Sequence, residues 1–593
     1  MATLHFKGKS FVQNHHLTVK YHHLVPDKAA SLTAKVSLHD NLIVHGDNLI
    51  ALKALLPTYA GKVKCIYIDP PYNTGNEDWV YNDNVNSPML QEWLGKVVDK
   101  EDLSRHDKWL CMMMPRLKLL WELLHEEGVI FISIDDREVH HLRMLMDEIF
   151  QEENFIAQLV WEKGRKNDAK LFSVGHEYMV VYSRSLATLR QLGTVWREPQ
   201  PGAKEIWDEY CRLREIHGED DKAIGNALQE WYEQLPKQHP SKALSRYKNV
   251  DKWGPWRDDN ISWPGGGGPR YDVVHPKTKQ PCAVPERGWG FSTPEAMQRK
   301  IQLGLVVFRE DHTKPPIRKT HLRPIPEELE EDEEFLLNED DDEDKDEAKV
   351  GMKVMPSVIY RQSQVAVKYL RKLMGAKVFN NPKDHEVLAR IFRYCTSPSD
   401  IILDSFAGSG TTAHAVLALN KEDGGNRRFI LVECEKYAKS ITAERVKRVI
   451  QGLPESRDQN LKIGLGGTFS FFKLGEAIEM ESILQGDNLP SYEDLARYVF
   501  YTATGEEFNP SQIDLERNYI GEGKQYEVYL LYKPNLEYLK TSALNLETVE
   551  KMGDYKGKIR MVFAPMKYLD IERLQEYRIE YCQLPFEIYK LRD

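Results

Sequence analysis

Asp69, Pro70, Pro71 and Tyr72 put three kinds of recognition chemistry into four residues. A carboxylate accepts hydrogen bonds from an amino group, and the peptide carbonyl of Pro70 accepts another. The Tyr72 ring offers a face on which a flat ring stacks. Such a set grips an exocyclic amine on a heteroaromatic base. Taken alone, it also fits an ordinary strand-to-turn junction, because Asp and Pro are common turn formers. A second stretch adds to it: Asp404, Ser405, Phe406, Ala407, Gly408, Ser409, Gly410, Thr411 and Thr412. Gly408 and Gly410 let the backbone approach a ligand closely, and the amides that open the following helix favour a carboxylate group. Glu433 follows about 20 residues later, the spacing at which an acid binds ribose hydroxyls in dinucleotide folds. The loop lacks the lysine pattern of a P-loop.

These residues need elements to hold them. Residues 63–68 form an apolar, β-branched-rich run of strand length that ends at Asp69. The two prolines stop that strand and fix the backbone. The acid and the ring therefore sit at the C-terminal end of a buried strand, the edge at which open α/β sheets bind ligands. Residues 401–404 are a second strand, 414–419 a helix and 429–433 a third strand. Residues 41–47 read as a short strand and turn, with a helix over 48–56 and Asp47 in place to cap it. Further helices are expected at 108–126 and 136–150, and strands at 128–135, 154–161 and 177–182. Residues 73–86, with Trp79 and Tyr81, are loop-like.

With both motifs in this order, the chain resembles a β-class amino methyltransferase acting on DNA. Residues 46–49 and 67–75 resemble most closely the Mod subunits of type III restriction–modification systems. The similarity covers roughly residues 40–185 and 375–450. It implies a Rossmann-like α/β core that takes S-adenosylmethionine, interrupted by a target recognition region and followed by a small C-terminal α/β domain. The expected division is an N-terminal extension (1–40), a catalytic half (41–189), the recognition region (190–374), a cofactor half (375–454) and a C-terminal domain (455–593). By the same resemblance Asp69, Pro70, Pro71 and Tyr72 are catalytic. Asp47, Lys383, Asp404, Phe406, Ala407, Gly408, Ser409, Gly410, Thr411, Thr412 and Glu433 bind the cofactor. Asp47 would lie near its adenine, and the Phe379 to Lys383 stretch near its methionine end.

Composition sets outer bounds. A chain of 593 residues is too long for one core, so two to four domains are expected. No apolar run approaches the ~20 residues of a membrane span, and residues 1–7 lack a signal-peptide apolar core. The seven cysteines include no C-x-x-C pair, which argues for a reducing cytosol and against a zinc site. The His15/His16, His22/His23 and His140/His141 doublets read as surface residues, and no metal is expected.

The net charge of −11 is unusual for a DNA binder, but it is unevenly spread. Residues 327–347 hold fifteen acids and one lysine, which leaves the rest at +3. Residues 236–326 hold seventeen Lys/Arg against eight Asp/Glu, an electrostatic footprint suited to phosphate. The acidic run is either a solvated loop or a competitor with DNA for that basic surface. Residues 198–235 look helical. Beyond them Trp253, Trp256, Trp263 and Trp289 stand among basic residues, either as nucleic-acid contacts or as a small core under long loops.

The expected reaction is direct methyl transfer to the 6-amino group of adenine in double-stranded DNA. The base must be flipped out of the duplex to reach such a pocket. Related cytosine enzymes usually carry Ser in place of the Asp. A homodimer in the cytoplasm is expected, with a separate helicase–nuclease or other defence subunit supplying any cleavage. The rival readings are a solitary methyltransferase, an RNA methyltransferase, which the resemblance disfavours, and a non-catalytic DNA-binding subunit.

Overall fold

The computed structural model describes residues 3–73, 105–164, 171–325, 350–456, 459–478 and 489–584. The loop with Trp79 and Tyr81 and the acidic run at 327–347 lie outside the described residues. The chain divides into two compact units, residues 1–191 with 356–593, and residues 192–355.

The first unit is built on a ten-stranded sheet. Its strands are β1 (His22–Pro26), β2 (Leu42–His45), β3 (Val63–Ile68), β4 (Leu124–Ile134), β5 (Phe155–Glu162), β6 (His176–Ser183), β7 (Val358–Tyr360), β8 (Ile401–Asp404), β9 (Arg428–Glu433) and β10 (Ser470–Ala477). Their spatial order is β1-β10-β2-β9-β8-β3-β4-β6-β5-β7. The run from β10 to β4 is parallel throughout. β3, β8 and β9 are almost wholly buried, because parallel strands are covered on both faces. That is why they read as continuous apolar runs rather than alternating ones.

Six helices matter for the site: α1 (Asn48–Tyr59), α2 (Arg105–Leu123), α3 (Val139–Phe150), α4 (His385–Cys395), α5 (Thr411–Asp423) and α6 (Glu444–Gln451). The crossover from β3 through α2 leads to β4 on one side. The crossover from β8 through α5 leads to β9 on the other. β3 and β8 are neighbours, with Ile402 opposite Cys65. The connections diverge between these two strands, which opens a crevice at their C-terminal ends. Asp69 and Asp404 stand at its two lips.

Three expectations are corrected here. β1 and β10 complete the core sheet, so residues 22–26 and 470–477 are not peripheral. β7 pairs with β5, and the Ser363–Met374 helix belongs to the same unit, so the inserted segment ends near residue 355 rather than 374. His15 and His16 are buried rather than on the surface. Burial pushes the His16 pKa down to about 4, since a charged imidazole is costly in that setting.

A four-stranded C-terminal sheet lies within the same unit. Its strands run in the order β11 (Tyr519–Glu522), β12 (Tyr526–Leu530), β13 (Ile559–Ala564) and β14 (Ile579–Gln583).

The second unit holds two amphipathic helices, Ala203–His217 and Asp221–Gln234, and a four-stranded sheet that includes Gly254–Asp259 and Ile317–His321. Trp289 is fully buried, and its indole donates to the Tyr271 carbonyl at 2.7 Å. It is therefore a core residue. Trp253 and Trp256 are half-buried, each with a lysine ammonium over the ring, Lys252 at 4.4 Å and Lys319 at 4.8 Å.

Candidate active site

The crevice is a cavity of about 650 Å³, within the range of small-molecule and cofactor pockets. One part of its wall carries Asp69, Pro70, Pro71 and Tyr72, and another carries Asp404, Phe406, Ala407, Gly408, Ser409, Thr411, Thr412 and Glu433. Lys383 lies between them in the lining. Two anticipated residues do not line it. Gly410 supplies a left-handed turn at the start of α5, φ 79°. Asp47 caps α1, accepting from the amides of Leu49 (2.9 Å) and Ile50 (3.2 Å), and it pairs with buried Arg116 at 3.3 Å.

The turn after β3 is braced from below. The Trp109 indole of α2 donates to the Pro71 carbonyl at 2.7 Å. Asn73 adopts a left-handed φ of 58° and donates to Glu138. Glu138 is fully buried and is also held by His106 (2.6 Å) and His141 (2.9 Å). The ligand-type atoms of this His–Glu–His set lie within 4.8 Å of one another. The hydrogen bonds to Glu138 make the set a brace for the turn.

At the mouth of the turn, Asp69, Tyr72 and Lys383 join Glu177 and Lys163, two residues that sequence reasoning missed. The Lys383 ammonium lies 2.9 Å from Asp69 Oδ1, 3.1 Å from Glu177 Oε1 and 2.7 Å from the Tyr72 hydroxyl. It also sits 5.0 Å from the Tyr72 ring centroid. Tyr72 donates to Glu177 at 2.9 Å, and Lys163 pairs with the same carboxylate. Burial works against the Lys383 charge, but the Asp69 and Glu177 carboxylates outweigh it and hold its pKa above the usual lysine value. For Lys163, burial and the neighbouring Lys383 charge pull the pKa down. Glu177 is the second residue of the apolar strand β6, and an acid near the start of such a run was the one available signal.

The glycine loop is held by polar contacts of its own. Asp404 accepts from the Phe406 amide at 3.0 Å and from the Thr412 hydroxyl at 2.6 Å. Glu433 accepts from the Gly408 amide at 2.6 Å and the Glu435 amide at 3.0 Å. Burial pushes both carboxyl pKa values up to about 7. The Thr442 hydroxyl donates to the Gly408 carbonyl at 2.6 Å. Arg445, from α6, donates to Ser409 Oγ at 2.7 Å and Thr411 Oγ1 at 2.8 Å.

These walls fit an adenosyl ligand with a charged amino-acid end. Gly408 has φ 52°, and a Cβ there would approach Phe379 Cζ to 3.2 Å, narrowing the space between them. Phe379 and Tyr437 meet edge to face at 5.7 Å. With Phe406 they line the part of the cavity next to Glu433, an aromatic slot beside an acid.

Among known proteins, the family described as DNA methylase matches residues 63–444. The Mod subunit of the type III enzyme EcoP15I from Escherichia coli is 32% identical over 471 residues, covering 74% of this chain and 67% of that one. The StyLTI Mod subunit from Salmonella typhimurium is 31% identical, covering 71% and 56%. The type II methyltransferase M.KpnI from Klebsiella pneumoniae is 28% identical, covering 70% and 89%. The chain thus spans roughly three-fifths to two-thirds of the length of the two Mod relatives. The match extends from the strand that carries Asp69 past the loop that carries Gly408, so the two lips of the crevice fall within one family's pattern, and the chain belongs to the DNA methylases.

Proposed function

We propose that this chain methylates the 6-amino group of adenine in duplex DNA, as the modification subunit of a type III-like restriction–modification system. The observation that carries the reading is the single cavity, with a D-P-P-Y turn on one lip and a glycine loop with a buried acid on the other. When bound, S-adenosylmethionine supplies a methyl carbon already activated by its sulfonium. Phe379, Phe406 and Tyr437 would enclose the adenosine, Glu433 would accept from its ribose, and the 407–412 stretch would face the amino-acid end.

The remaining work falls to the turn after β3. An amine conjugated to a ring is a poor nucleophile because its lone pair is delocalised. Asp69 and the Pro70 carbonyl accept its two N–H bonds, which localises the lone pair and orients it toward the methyl. Tyr72 stacks on the flipped base. Positive charge develops on the amine during transfer, and the Asp69 carboxylate stabilises it in a site largely screened from water. The carboxylate is then at hand to take up the released proton. Asp rather than Ser at position 69 favours adenine over cytosine.

The test is transfer of labelled methyl groups to unmethylated DNA, followed by nucleoside analysis. N6-methyladenine is expected. N4-methylcytosine would keep the family and reject the base, and no methylated nucleoside would overturn the reading. The subunit role and a homodimeric state are tested by co-expression with the neighbouring genes and by the mass of the purified complex.

A further inference from the structure

We propose that the Lys383 ammonium is a stand-in for the target amine. It occupies Asp69 while no base is bound, and it transfers to Glu177 when the base arrives. The inference rests on the reading just given for Asp69.

Three observations carry it. First, the ammonium lies where a flipped amine must go, 2.9 Å from Asp69 Oδ1, beside the Tyr72 ring and in contact with its hydroxyl. Second, the contact is an ion pair without hydrogen-bond alignment. Asp69 Oδ1 is buried, and among the described residues no donor points at it with proper geometry. An amine with directed N–H bonds therefore gains something the ammonium does not already have. Third, a second berth exists. Glu177 lies 3.1 Å from the same ammonium and has the more buried side chain, 6% exposed against 28% for Asp69. A small shift of the lysine end leaves its charge paired and frees Asp69.

The electrostatics give the exchange a purpose. An ammonium left against Asp69 would oppose the positive charge that builds on the target nitrogen. Moving it onto Glu177 restores the full negative potential of Asp69 as that charge appears. Lys383 is thus a positioning residue rather than a base, and within this cluster two carboxylates face two lysines. Besides Lys383, the groups that face Asp69 are Tyr67, Tyr72, Lys163, Glu177 and Asp404.

The test compares wild type, Lys383→Met and the charge-balanced Lys383→Met/Glu177→Gln, using S-adenosylmethionine and unmethylated plasmid DNA across a pH series. A stand-in that holds Asp69 nine-tenths of the time costs about tenfold in apparent affinity. Lys383→Met should therefore lower the KM for DNA by about tenfold and leave the KM for S-adenosylmethionine unchanged. With the ammonium gone, two carboxylates share the site and retain a proton to higher pH. The acid limb of kcat should then move up by about one pH unit. The double variant should keep the low KM and return the limb to its wild-type position, and it guards against misfolding of the single variant. A rise in the KM for S-adenosylmethionine alone makes Lys383 a cofactor residue and overturns the proposal. A rise in both KM values in both variants, with a lower Tm, makes it structural and overturns it as well. A wild-type chain that methylates no DNA fails the parent reading and takes the proposal with it, whereas an active wild type isolates the proposal.

Discussion

The two lips of the crevice are built on different principles. The loop after β8 is locked. Asp404, Glu433, Thr442 and Arg445 hold it through directed hydrogen bonds to its amides, carbonyl and hydroxyls. The turn after β3 is fixed in its backbone, by two prolines, Trp109 and Asn73, but its side chains meet a cluster of exchangeable charges. Asp69 Oδ1 lies 2.9 Å from the Lys383 ammonium, while the Glu177 carboxylate is shared by Tyr72, Lys163 and Lys383. A small ligand that binds the same way at every turnover suits a preformed cradle, since preorganisation removes ordering costs. A base that enters from a duplex needs partners that can let go. On the function proposed above, the contrast separates a binding lip from a reacting lip.

The contrast can be broken from either side. The largest effect is expected at the reacting lip. Asp69→Ala should lower kcat by at least about 10²–10³ and leave S-adenosylmethionine affinity within about twofold by calorimetry. A matching loss of cofactor binding would merge the two lips. At the other lip, Gly408→Val should weaken cofactor binding by about ten- to a hundredfold. The residue has φ 52°, and its Cβ would press toward Phe379, so strain and lost space act together. Phe406→Ala should weaken it less, and circular dichroism would confirm that both variants are folded.

Thr412→Val tests how far the loop depends on its buried acid. It removes the 2.6 Å donor to Asp404 and should cost about 1–3 kcal/mol in denaturant unfolding.

The smallest effect concerns pH. Glu433 is pushed up to about 7 by burial, so it gains charge as pH rises through that value. If its carboxylate form accepts from the ribose, cofactor affinity should rise from pH 6 to pH 8, by less than about tenfold. Glu433→Gln should flatten that profile. A profile that stays steep in the variant would point to Asp404, whose carboxyl is raised to the same region.

Local sequence carries much of this. The strand at 63–68 and the turn after it were legible because apolar runs and prolines act on their own neighbours. The 404–412 loop was legible for the same reason, since glycine permits left-handed turns wherever it stands. Asp47 as a helix cap was equally local. Its distance from the cavity was not, because that depends on which way α1 points. The aromatic residues at 253–289 could not be sorted in advance, since a buried indole and a half-buried one have the same composition around them. Only packing put Trp289 in the core with its N–H satisfied.

By itself, then, the sequence determined the two motifs, the strands and turns that display them, and their order along the chain. All of these follow from interactions within a few residues. The tertiary structure alone decided that β8 lies beside β3, bringing Asp404 next to the Asp69 turn across more than 300 residues of chain. It also decided that Lys163 and Lys383 converge on the Glu177 carboxylate, and that Lys383 reaches Asp69 as well. Charges interact through space, and no pattern of spacing records which of them the fold will bring together.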